Sequence, residues 1–215
     1  MLPESLQKWD ALFSAKARDL YPSADPSHDF LHIRRVVAAA VKFAAEEGAD
    51  LNIVVPAAYF HDFVNVPKND PRRSQASRLS ADAAAEYLQS VGYPAQYFDG
   101  IKHAIATHSF SANIPCETIE AKVVQDADRL DGLGAIGIAR CFSTSTIMGR
   151  PYYSEDDMLA ETRAPDDKLF AIDHFFVKLF KTAETLQTKS ARAEGARRVE
   201  FMKRYLQQLK SEIGG

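Results

Sequence analysis

The chain has 215 residues, 46% apolar and 26% charged, with a formal net charge of −3, which suits a globular protein and gives no general attraction for nucleic acid or anionic membrane. It is long enough to bury a core without disulfides, and its two cysteines, Cys116 and Cys141, form no CxxC pair and fit a reducing compartment. No apolar run approaches the roughly 20 residues of a membrane helix, and MLPESLQKWD lacks a signal-peptide pattern, so a cytoplasmic protein with no membrane partner is expected.

Helical periodicity runs almost throughout. Residues 4–20 repeat Leu6, Trp9, Leu12, Phe13 and Leu20 at helical spacing, and YPSADPS (21–27) is a turn with two prolines. Residues 29–47 carry a broad apolar stripe that stops at Gly48, and 52–64 form a shorter, greasier segment. After the polar loop NVPKNDPRRSQ (65–75), helices are predicted over 76–91, 95–109 and 118–130, then over the small-residue stretch 133–148. Residues 149–167 are irregular and are a candidate lid. Two helices, about 168–183 and 189–213, close the chain. With strand signals almost absent and no internal repeat, the prediction is a single all-α domain over 1–215 with its last two helices packed on the core bundle.

Two His-Asp dipeptides occur, at 28–29 and 61–62. With 6 His and 17 Asp in 215 positions, chance gives roughly 0.5. The second pair is the informative one, because AAYFHDFVN buries two ionisable groups in an apolar run, which is costly unless they share a partner. Two ligands from one helix do not make a metal site, so others must come from neighbouring helices. His32 lies on the preceding helix, with His28 one turn earlier on the same face. Asp126, Asp128 and Asp131 crowd near a helix end, and Arg129 alone cannot neutralise them.

In order, HDFLHIRRV, FHD and QDADRLD resemble the H…HD…D pattern of the HD-domain metal-dependent phosphohydrolases. The resemblance covers residues 28 to about 145. It implies His32, His61, Asp62 and Asp128 as ligands of a divalent metal: Mn²⁺ first, with Mg²⁺, Co²⁺, Ni²⁺ or Fe²⁺ as alternatives. VQDADRLDGLGAIGIAR (124–140) and HAIATHSFSA (103–112) are similar to a bacterial YpgQ/YedJ-type subgroup, all-helical and including nucleotide pyrophosphohydrolases. That implies a small-molecule nucleotide substrate, attacked at the α-phosphorus to give monophosphate and pyrophosphate. Two departures exclude relatives. Asn65 and Val66 replace the Glu-Asp of Rel-type alarmone hydrolases, and the chain has no adjacent histidines such as HD-GYP phosphodiesterases use.

Around the ligands, His28, Asp29, Arg129 and Asp131 are candidates for supporting contacts, His28 equally for capping the helix beginning near Asp29, while Arg129 and Arg140 are read as bracing the carboxylate cluster. Lys68, Arg72 and Arg73 could neutralise a polyphosphate, or simply be a solvated loop. His103 and His108, five apart, point about 140° from each other on a regular helix. Only His108, near the helix end, could then reach a phosphate. Asp62 and His108 are the candidates for moving a proton, and His174 reads as a packing residue. Three other functions stay open: a nucleoside monophosphate phosphatase on the same site, a nucleotide-sensing module with a structural metal, and a di-iron oxygenase needing further histidine ligands.

Overall fold

A computed structural model describes residues 2–21, 29–66, 70–109 and 112–214. His28 and Lys68 lie outside the described residues. Every regular element among them is helical, as predicted: α1 (Glu4–Leu20), α2 (Phe30–Glu47), α3 (Leu51–Phe60), α4 (Ala76–Ser90), α5 (Phe98–His108), α6 (Ile119–Leu130), α7 (Gly134–Ile147), α8 (Phe180–Glu184) and α9 (Lys189–Glu212). Among the described residues no helix is long and apolar enough to cross a membrane. The chain parts into two compact units at Asp128/Arg129.

In the first unit α3 is the central helix, packed on α1, α2, α4 and α5. Its sequence explains the position. LNIVVPAAYF has no charged residue, and Val54, Val55, Ala57, Ala58 and Phe60 are fully buried. Burying Val54, Val55 and Phe60 contributes roughly 1.5–3 kcal/mol each. Pro56 sits inside this helix and cannot donate to the carbonyl of Asn52. The Tyr93 hydroxyl takes that acceptor instead, at 2.7 Å.

Helices α2 and α3 each start on an aspartate cap. The Asp29 side chain accepts from the His32 amide at 2.8 Å, and Asp50 accepts from the Asn52 amide at 2.8 Å. Helix α2 then ends on Gly48 at φ +73°, the left-handed conformation that favours glycine.

In the second unit α9 packs on α7 and α8 around Phe142, Phe175 and Tyr205, whose rings lie 6.3–6.4 Å apart. The small residues of α7 do permit close approach: a Cβ on Gly137 would fall 2.2 Å from the Gly132 carbonyl oxygen. The helix expected over 168–183 starts late. Residues 168–172 are turn and irregular backbone, and Phe175–Leu179 form one π-helical stretch running into α8.

Segment 149–167 is irregular as expected, but it is tied down. The Asp157 carboxylate accepts from the amides of Glu161, Thr162 and Arg163, which holds its pKa at about 2. Arg163 makes a two-pronged bridge to the fully buried Asp173, at 2.5 and 2.8 Å. The loop is therefore anchored through Arg163, which has an internal carboxylate rather than a ligand to satisfy.

Candidate metal centre

Four helices each deliver a side chain to one place in the first unit. His32 comes from the first turn of α2, His61 and Asp62 from the residues that leave α3, His108 from the last position of α5, and Asp128 from α6. His32 Nε2 lies 3.5 Å from Asp128 Oδ1, and His61 Nε2 lies 3.7 Å from both Asp128 Oδ1 and Asp62 Oδ2. His108 Nε2 lies 3.3 Å from Asp62 Oδ1. Two groups result, His32–His61–Asp128 and His61–Asp62–His108, each with ligand atoms within 4.8 Å of one another. The histidines are buried while the Asp62 and Asp128 side chains are 38% and 28% exposed, so the cluster has a closed floor and an open mouth.

These separations are long for nitrogen–oxygen hydrogen bonds, which centre near 2.9 Å. They are close to the spacing of two ligands on one ion, about 3.0–3.5 Å when each sits about 2.0–2.2 Å from the metal. His61 decides between the two descriptions. Its Nδ1 lies 2.9 Å from the Ala58 carbonyl, which can only accept, so Nδ1 carries the proton. Nε2 is then a lone pair, fully buried, without a hydrogen-bond partner, and aimed between two carboxylates. Protonating it would be one remedy. Burial lowers its pKa and prevails over the opposing charges of Asp62 and Asp128, with His108 and His32 adding to the lowering. A divalent cation fits what a proton does not.

The ends of α3 and α5 are built alike. In each, the terminal histidine bends back so that Nδ1 donates to the carbonyl three residues earlier, His61 to Ala58 and His108 to Ile105 at 2.7 Å. The next carbonyls, which have no intrahelical donor, are taken by other groups. At α3 these are the Tyr21 hydroxyl on Tyr59 and the Phe63 amide on Phe60. At α5 they are the Ser77 hydroxyl on Ala106 and the Gln125 amide on Thr107. Both histidines are thus fixed in tautomer and direction. Both helices also bring their negative ends to the cluster, which favours a cation there.

At His108, burial works against the charged form, but the hydrogen bond and charge of Asp62, with the charge of Asp128, outweigh it and raise the pKa. Tyr21 moves up strongly through burial and the Asp62 charge, so its hydroxyl stays a donor at ordinary pH.

Comparison with known proteins bears on the same residues. The HD domain model matches residues 29–133, and the Bacillus subtilis protein YpgQ is 34% identical over 193 residues, covering 87% of this chain and 85% of that one. The chain belongs to the HD-domain family. Among solved structures, Bacillus subtilis YpgQ in complex with ADP has a TM-score of 0.74 at 35% identity, covering 96% of this chain and 98% of that one. An HD-superfamily hydrolase from Bacillus thuringiensis has a TM-score of 0.76 at 26% identity, covering 97% and 98%. HD domains bind divalent metals, and this one is a hydrolase of the phosphohydrolase class with His/Asp clusters suited to such an ion.

The HD-domain pattern and the geometry bring His32, His61, Asp62 and Asp128 together, with His108 beside Asp62. Other predicted positions fall elsewhere. His103 accepts from the Glu117 amide at 3.1 Å, so the divergence from His108 expected on a helix is seen. Asp29 is the cap of α2 and acts on the site by holding the turn that carries His32. Arg72 grips Asp70 and Arg73 donates to the Val66 carbonyl.

The three crowded aspartates go to different places. Helix α6 ends at Leu130, and beyond it Asp131 pairs with Arg140 at 2.7 Å. Asp126, two residues before Asp128, points about 200° away from it around the helix. Arg129 donates to the Thr185 carbonyl, and His174 bonds Asp167 at 2.8 Å, where burial lowers its pKa. Sequence reasoning passed over Tyr21, Ser77 and Gln125. Nothing in a tyrosine before a turn, or a glutamine in a helix, signals contact with a carbonyl 38 or 18 residues away.

Proposed function

We propose that the protein is a Mn²⁺-dependent nucleotide pyrophosphohydrolase, cleaving nucleoside triphosphates at the α-phosphorus to monophosphate and pyrophosphate. The observation that carries the metal part is the buried His61 Nε2 lone pair aimed between Asp62 and Asp128. His32, His61, Asp62 and Asp128 would hold the ion, and neutral imidazole with carboxylate is a donor set that manganese accepts. When bound, a divalent ion polarises a phosphoryl oxygen and lowers the pKa of a water. The nucleotide part is supported by the ADP complex of YpgQ.

The chain's own groups divide the remaining tasks. His108 has Nδ1 committed to Ile105, so Nε2 alone faces the site, 3.3 Å from Asp62 Oδ1. His108 and Asp62 are the groups to pass a proton to or from an oxygen of an entering phosphate. The buried histidine floor excludes water from one side and leaves the exposed carboxylate edge as the entry. Lys68, Arg72 and Arg73, on the loop after the His-Asp pair, are the groups to neutralise the leaving pyrophosphate. The two described arginines would exchange Asp70 and Val66 for phosphate. A cytoplasmic setting agrees with the free Cys116 and Cys141.

The test is a nucleotide panel with and without Mn²⁺, with products resolved. Pyrophosphate from triphosphates supports the proposal. Orthophosphate from monophosphates instead would assign a phosphatase to the same residues. Tight nucleotide binding with no turnover would assign a sensing module.

A further inference from the structure

The chain leaves α3 at Phe60 and must present His61 and Asp62 in one direction without a helix to hold them. A carbonyl in that last turn needs an outside donor, and the one on Tyr59 receives it from the end of α1. The Tyr21 hydroxyl donates to the Tyr59 carbonyl at 3.1 Å. A single buried hydroxyl therefore holds the backbone two residues before His61, in the last turn that sets the direction of His61 and Asp62. Tyr21 is 7% exposed, so water cannot readily take over that bond.

We propose that Tyr21 is a positioning residue of the metal centre, its hydroxyl holding the Tyr59 carbonyl in the last turn of α3 so that His61 and Asp62, which follow, face one ion. The proposal rests on the metal reading above. It is separable from a plain stability role because α3 carries its own control. At the other end of the helix the Tyr93 hydroxyl makes the same kind of bond, to the Asn52 carbonyl at 2.7 Å. Both are tyrosine hydroxyls on α3 carbonyls, but only the first touches the segment that bears ligands.

The experiment compares full-length wild type, Tyr21→Phe and Tyr93→Phe for Mn²⁺ affinity, read by the electron paramagnetic resonance of free and bound Mn²⁺, alongside thermal unfolding of the metal-free proteins. Phenylalanine keeps the ring and its packing, so both variants are expected to fold. Tyr21→Phe is expected to bind Mn²⁺ about 10–100-fold more weakly, the usual effect of losing a group that orients a ligand. Tyr93→Phe is expected to melt earlier with Mn²⁺ affinity unchanged. Wild-type affinity in Tyr21→Phe, or an equal loss in both variants, overturns the positioning role while leaving the metal site intact. No Mn²⁺ binding by wild type overturns the metal reading itself.

Discussion

Replacing Asp128 by Asn should separate stability conferred by the metal from stability conferred by the fold. Asp128 Oδ1 lies between His32 Nε2 and His61 Nε2, at 3.5 and 3.7 Å, and an amide there keeps the shape but loses the charge. If outer contacts of a metal site are worth 10–100-fold, loss of a direct ligand should weaken Mn²⁺ binding at least about 100-fold. At Mn²⁺ one hundred times the wild-type Kd, wild type gains about 2.7 kcal/mol and Asp128→Asn only about 0.4. For a chain of this length the difference of about 2.3 kcal/mol is a Tm gap of about 5–9 °C. Without metal the gap should nearly vanish, because the charge removed lies among groups that have no cation to bind. The assay is thermal unfolding of chelator-treated protein, with and without added Mn²⁺. An equal Mn²⁺-induced rise in Tm for both proteins would refute the reasoning. So would a large loss confined to the metal-free variant.

Further expectations follow from the same geometry. His61 has a lowered folded pKa, so in metal-free protein its contribution to stability is full above about 6.5 and lost as pH falls below that value. His108 has a raised one and contributes in the opposite sense, fully below about 6.5 and less as pH rises through its folded pKa. Urea unfolding across pH 5–8 should therefore show a flatter acid-side decline in His61→Gln and a steeper one in His108→Gln. At Pro56, restoring a donor should relieve the need for Tyr93: Tyr93→Phe should cost about 1 kcal/mol in wild type and close to nothing in Pro56→Ala, measured as a double-mutant cycle. Arg163→Met should destabilise the second unit by about 3–5 kcal/mol, since it leaves the fully buried Asp173 without its guanidinium. A change below about 1 kcal/mol by denaturant titration would show that Asp173 finds another partner.

The helices and the ligand set were legible for different reasons. Helix α1 is predicted and found over the same residues, because its apolar spacing is regular and a proline turn follows. Helix α3 was expected to run to 64 but stops at Phe60, since the His61 ring and the Phe63 amide take the carbonyls that a continuing helix would use. Residues 168–172 carry helical spacing yet form turn and irregular backbone, in part because Asp166 accepts from the Lys168 amide in a local turn that competes with the helix. The four candidate ligands are readable because each is a residue type that is costly to bury and the order matches a family. Asp131 lies beside them in the sequence with Arg129 and Arg140 read as bracing the carboxylates, and the fold gives it Arg140 as its partner at 2.7 Å. The groups that aim the ligands, Tyr21 above all, are ordinary residues whose work is done on backbone atoms, and backbone contacts leave no trace in the sequence pattern.

The most direct test of the account is turnover of a nucleoside triphosphate by Mn²⁺-loaded protein in water enriched in heavy oxygen, with the products weighed by mass spectrometry. Attack at the α-phosphorus predicts one heavy oxygen in the monophosphate and none in the pyrophosphate. Label in the pyrophosphate, or release of orthophosphate with a diphosphate, would contradict it.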